Sequence, residues 1–305
     1  MATTTKSKAK NKTTKKPASK ASVNSSTKVS KATKSTTKQV TQAKSSAKTS
    51  KNVPFTDKLR RLNILSGVLG LALAVAAVFL MSKTTAQIFT GLMTNDGLAS
   101  STGTVFVTGI HSVFDLQLRW AVVGIMLVSA IIPLMSATRK RKMYEESVAK
   151  KVNVARWLEL GVVTGLMIEI VALLSGVSDL SALKMMGALL VISAVLGWFW
   201  ERQLAKSDND SKSTYILSAL TGIIPVVVIA GYALNTYLYG MVRYSWFVYA
   251  LYATTLLVLM GYARNSMLYG KGKINYEVNE RNYLRWSIFA KVTFALILIA
   301  GLYKK

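Results

Sequence analysis

The chain of 305 residues contains no cysteine, one histidine (His111) and four prolines. Without cysteine there are no disulfides, thiolate metal sites or Cys nucleophiles, and a lone histidine excludes a multi-histidine metal centre. Acidic residues are scarce as well: 13 Asp and Glu stand against 39 Lys and Arg, a formal net charge of +26. Charged residues make up only 17% of the chain, whereas 51% is hydrophobic. A soluble domain usually carries about a quarter charged residues, so this composition excludes an ordinary soluble protein.

The positive excess is unevenly spread. Residues 1–53 hold fourteen Lys and no Asp or Glu, and are otherwise mostly Ser, Thr and Ala. Such a segment has no apolar periodicity and cannot bury enough surface to offset its chain entropy. Residues 1–55 are therefore expected to form a disordered tail, and residues 56–305 a membrane domain. The tail is similar in composition to the Lys-rich tails of linker histones. Two readings follow: contact with nucleic acid or anionic lipid through counterion release, or a solvated cytoplasmic segment that helps fix orientation. A transit peptide would favour Arg, and the first Arg is Arg60.

Beyond the tail, apolar runs recur at about the 20-residue length of a bilayer-spanning helix. Seven are read, over 60–81, 118–138, 152–174, 182–200, 214–234, 245–266 and 284–303. Pro133 and Pro225 interrupt two of them, which membrane helices tolerate. Trp120, Trp198, Trp200, Trp246 and Trp286 fall near run ends, as an aromatic belt predicts. Basic residues concentrate in one set of connections, from Arg139–Lys142 through Lys150, Lys151, Lys206, Lys271 and Lys273. The positive-inside rule then places the N-terminus in the cytoplasm and the C-terminus outside, and the expected location is the cell membrane. The outside connection 82–117 is long, is punctuated by glycine and contains the β-branched and aromatic stretch Thr104–Val107, so a small hairpin is expected there. His111 falls in this segment and reads as a surface residue. The fold class expected is an all-α membrane protein of seven transmembrane helices with that one β-hairpin.

Three ionisable residues lie inside the runs: Glu159 and Glu169 in the third and Lys291 in the seventh. Charges at such positions are costly and usually functional. Lys291 lies seven residues into its run, about 10 Å deep at the rise of a helix. Glu159 lies at a similar depth on a run of the same direction, so the two can meet. Glu169, ten residues further, is a poorer partner. A lysine–carboxylate pair at one level admits three readings. It can lock two helices, couple ion transport, or hold an aldehyde as a protonated imine beside its counter-charge. Ser287, one turn before Lys291, shares its face.

The string Arg156-Trp157-Leu158-Glu159 resembles the Arg-Trp-x-Glu signature of heliorhodopsins, seven-helix microbial rhodopsins of inverted topology. Further similarities run in order: Gly176-Val177-Ser178-Asp179, Gly197-Trp198 with Glu201, Gly222-Ile223-Ile224-Pro225, Gly270-Lys271-Gly272-Lys273 and Ser287-Ile288-Phe289-Ala290-Lys291. The resemblance spans Leu59 to Leu302. It implies all-trans-retinal on Lys291 as a protonated Schiff base, Glu159 as counterion, Ser287 beside them and Met167 against the polyene. It further implies a homodimer in the lipid bilayer and a receptor, not an enzyme, that signals to a cytoplasmic partner. The alternatives are a light-driven proton channel or transporter of the same fold, and a chromophore-free anchor. Family members commonly carry cytoplasmic-side histidines on the first two helices, where this chain has Val68-Leu69-Gly70 and Ile131-Ile132-Pro133. Leu160 follows the counterion where a Tyr is frequent, and Glu169 is an additional acid.

Overall fold

The computed structural model describes residues 53–95, 106–206, 211–241 and 243–304. The expected tail lies, up to Asn52, outside the described residues. The helices are α1 (Val53–Leu80), α2 (Leu118–Ala137), α3 (Arg141–Ala149), α4 (Val154–Leu174), α5 (Leu180–Ala205), α6 (Ser211–Tyr239), α7 (Trp246–Gly270) and α8 (Tyr276–Gly301). Among the described residues, all but α3 are long and apolar enough to cross a membrane, and each apolar run falls on one of these seven.

The ends differ from the runs where polar residues continue a helix. At the start of α8, the Asn275 side chain accepts from Val278 N at 2.9 Å, and Glu277 lies in the first turn, where its charge complements the helix dipole. The helix therefore begins eight residues before the apolar run, at Tyr276. Lys291 stands near its middle, about 22 Å from its start and not about 10 Å. Helix α3 is a second departure, because its residues read as a basic loop. Tyr144 and Val148, four apart, share the face that packs on Leu59, Leu62 and Leu284.

Two tryptophans also leave the expected belt. Trp200 is buried, and Trp286 is partly buried against the cluster around Tyr262 and Tyr283. Trp286 lies against Gly261, where any Cβ would collide with the indole.

Strands β1 (Thr85–Asn95) and β2 (Phe106–Gln117) form the expected antiparallel hairpin, with a bulge between Ile88 and Phe89. His111 pairs with Thr90 on an exposed stretch of it. Phe89 N donates to Ser178 O at 2.9 Å, tying the hairpin to the α4–α5 turn. That turn explains one of the sequence motifs. Gly176, at φ +100°, ends α4 with Val177 N bonded to Ala172 O at 3.0 Å, and Asp179 caps α5 through Ala182 N at 2.8 Å.

The last helix packs against the first. Ser82 N donates to Leu302 O at 2.7 Å and Lys304 N to Leu80 O at 2.9 Å, which closes the bundle between α1 and α8. Besides the small cluster at α3, two larger apolar clusters lie among the described residues. One contains Met126, Met167, Ile170, Leu251 and Phe294, and the other Trp157, Trp200, Tyr262 and Tyr283. Lys291 follows Ala290 of the second cluster and precedes Phe294 of the first, so its side chain enters where the two meet.

Candidate functional site

Lys291 is 3% exposed and Glu159 6%. A buried ammonium is tolerable only when its donors are paired, and this one uses all three. Lys291 Nζ donates to Glu159 Oε1, to Ser66 Oγ at 3.0 Å and to the Ser129 carbonyl at 3.1 Å. Four helices thus converge on one nitrogen: α8 carries it, and α4, α1 and α2 supply its acceptors.

The Ser129 carbonyl is available for a reason written in the sequence. In α2 it would accept from the N–H four residues on, but that residue is Pro133, which has none. The proline that looked like an interruption frees the acceptor that the lysine uses. Ser287 Oγ donates to Glu159 Oε1 at 3.1 Å, so the carboxylate receives both the ammonium and a hydroxyl.

A second polar centre lies one turn away, toward the start of α4. Arg156 is 6% exposed and bridges Glu201 of α5 and Glu280 of α8, both fully buried. Each acid has neutral donors too: Trp157 Nε1 at 2.9 Å and Asn153 N at 3.1 Å on Glu201, and Asn153 Nδ2 at 2.6 Å on Glu280. The guanidinium also lies 4.3 Å from the ring centre of Tyr283, a cation–π distance. Tyr144 of α3 donates to Glu280 Oε1 at 3.3 Å, linking the short helix to this centre. Burial, and then the Glu280 carboxylate, push the Tyr144 phenol well above its ordinary range.

Between the two centres is a gap of about 10 Å³ lined by Arg156, Glu159, Tyr262, Tyr283 and Ser287. That is close to the room one water molecule needs. Between α4, α7 and α8, a cavity of about 50 Å³ is lined by Met167, Val171, Thr255, Val258, Ala290 and Phe294. It shares Thr164, Leu190 and Leu259 with a larger cavity of about 500 Å³ between α4, α5, α6 and α7. Apolar walls with few polar groups, at that volume, suit a long apolar ligand. A buried amine, a single carboxylate partner and this space together fit a conjugated aldehyde.

The structure therefore brings Lys291, Glu159 and Ser287 into direct contact and places Met167, 8% exposed, in the adjoining wall. It sets Glu169 apart: that acid pairs with Lys184 at 2.7 Å. Sequence reasoning did not single out Ser66, Ser129, Asn153 or Glu280. Glu280 carries a readable signal, because eleven residues separate it from Lys291 and eleven residues are close to three full turns, which puts both on one face.

The sequence model of heliorhodopsins matches residues 59–302. No curated protein matches the chain. The match covers the hairpin, all of the helical bundle that surrounds Lys291, and both polar centres. The chain therefore belongs to the heliorhodopsin family, and is a multi-pass membrane protein of the retinal-binding rhodopsin photoreceptors.

Proposed function

We propose that the protein is a light sensor in which Lys291 carries all-trans-retinal as a protonated Schiff base with Glu159 as counterion. The observation that supports it best is the buried Lys291 amine, held by three acceptors of which one is charged, on a helix whose Ala290 and Phe294 line an apolar cavity. Retinal, when bound, supplies the light absorption and the isomerisation. The remaining chemistry belongs to the chain. Condensation of the amine leaves one N–H on the nitrogen, and Glu159, the charged acceptor, retains it in preference to Ser66 and the Ser129 carbonyl. Ser287 orients the carboxylate from the same helix that holds the lysine.

The output is signalling to a cytoplasmic partner and not ion pumping. A transport path needs a continuous line of polar groups, and the cavity beside α8 offers only Thr164, Thr254 and Thr255 in an otherwise apolar wall that includes Met167, Val171 and Phe294. Toward the start of α4, the Arg156 centre fills the interior and connects through Tyr144 to α3. A change of charge at Glu159 acts on Arg156 across the one-water gap, and Arg156 shares Glu280 with Tyr144. The basic residues of α3 and its flanks, Arg141, Lys142, Lys150 and Lys151, then lie on the cytoplasmic face.

Reconstitution with all-trans-retinal tests the reading. The wild-type chain acquires a visible absorption band and Lys291→Ala acquires none; a band that survives the substitution overturns the assignment. Light-driven pH changes in cells would favour transport in place of signalling.

A further inference from the structure

Glu169 and Lys184 stand at one end of a cleft of about 350 Å³ between α2, α4 and α5, roofed by the hairpin residues Ile88 and Phe114. The rest of its wall is apolar. Gly124, in the middle of α2, lines it as well. Glycine weakens a helix interior and is usually tolerated there for a close approach, yet a Cβ at Gly124 would meet nothing within 4 Å. What the glycine leaves is open space. At the rim, Trp120 and Phe114 are about half exposed, as aromatic side chains are at a membrane interface.

The polar end of the cleft selects the kind of head group. Glu169 turns one carboxylate oxygen to Lys184 and the other against Gly187, where even a Cβ would collide. As an ionised carboxylate it accepts and does not donate, so it offers no hydrogen bond to a phosphate. Lys184 has spent one of its three N–H groups and its side chain is 62% exposed. Four residues into α5, it reaches the head-group level by extending along the helix. The free donors suit an acceptor at that level, and the apolar cleft beside them suits a hydrocarbon chain.

We propose that this cleft binds a phospholipid of the hairpin-side leaflet, with one acyl chain over Gly124 and its phosphate on Lys184. The site is separate from Lys291 and does not depend on the chromophore. Glu169 tempers it by neutralising Lys184.

Native mass spectrometry of the detergent-purified full chain tests this, with dioleoyl phosphatidylglycerol and dioleoylglycerol as probes. The wild type retains one phospholipid about tenfold better than the diacylglycerol, the worth of a charge-assisted hydrogen bond. Lys184→Gln abolishes that preference, and Gly124→Leu, which fills the cleft, lowers retention of both. Glu169→Gln strengthens phospholipid retention, because it releases the Lys184 charge. Equal retention of the two probes by the wild type overturns the proposal, as does retention indifferent to Lys184→Gln. A Glu169→Gln variant that weakens in step with Lys184→Gln marks a merely structural ion pair and overturns it too. Should Gly124→Leu fail to fold, the opposed effects of the other two substitutions decide alone.

Discussion

Ser287 and Lys291, one turn apart on α8, both donate to the same oxygen, Glu159 Oε1. A single helix thus presents a hydroxyl and an amine to one carboxylate, and any rotation of α8 disturbs both bonds at once. Replacing Glu159 by Gln removes the negative charge while keeping the shape. The visible band of the retinal-loaded protein is expected to move strongly to longer wavelength, with a smaller move for Ser287→Ala. A band unmoved by Glu159→Gln rejects that residue as counterion.

The Arg156 centre is expected to dominate stability. Removing one partner from a buried ion pair costs about 3–5 kcal/mol, because it leaves an uncompensated charge. Glu280→Ala should therefore lower the thermal unfolding midpoint in detergent far more than Glu145→Ala. The latter breaks only the Arg141–Glu145 pair on α3, which is exposed and screened by solvent. Similar losses in the two variants would refute the ranking.

Proline is costly inside a helix, by roughly 3 kcal/mol relative to alanine. Pro225→Ala in α6 should recover part of that as a higher unfolding temperature. Pro133→Ala should recover less, because the new N–H competes with Lys291 for the Ser129 carbonyl. Equal gains from the two substitutions would show that the freed carbonyl contributes nothing to holding the lysine.

Tyr144 gives a pH dependence with a definite sign. Its phenol is raised in the folded state, so above the ordinary tyrosine range, about 10, the unfolded chain loses a proton that the folded chain keeps. This contribution is fully present below that range and is lost as pH rises through it toward the folded value. Thermal unfolding followed from pH 8 to about 11 should decline less steeply in Tyr144→Phe than in the wild type. Parallel curves would count against the assignment.

Much of the site was legible because membrane helices make charges conspicuous. Lys291, Glu159 and Ser287 stood out against apolar neighbours, and the spacing of Ser287 and Lys291 put both on one face. The depth assigned to Lys291 was too shallow, because its helix starts earlier than the apolar run. Glu280 did not stand out, since the residues around it, from Tyr276 to Asn282, are polar enough to read as a loop. Only the cap at Asn275 and the bonds to Asn153 and Arg156 reveal that this polar stretch is helical and interior. Pro133 was visible, but its consequence depended on which helix faced Ser129, which no single segment specifies. Helix α3 was missed for want of length: nine residues with one buried side chain give little periodicity to detect.

The closure of α1 against α8 also bears on how the chain is made. During synthesis, α4 enters the bilayer with Arg156 and Glu159 long before α8 supplies Glu280 and Lys291. Glu159 then lacks the lysine it pairs with, and Arg156 pairs only with Glu201. Both centres are completed by the final helix in a single event, so a chain halted before Tyr276 holds an orphaned carboxylate within the membrane. Quality control that senses unpaired charge in the bilayer would have a clear mark by which to tell the unfinished protein from the finished one.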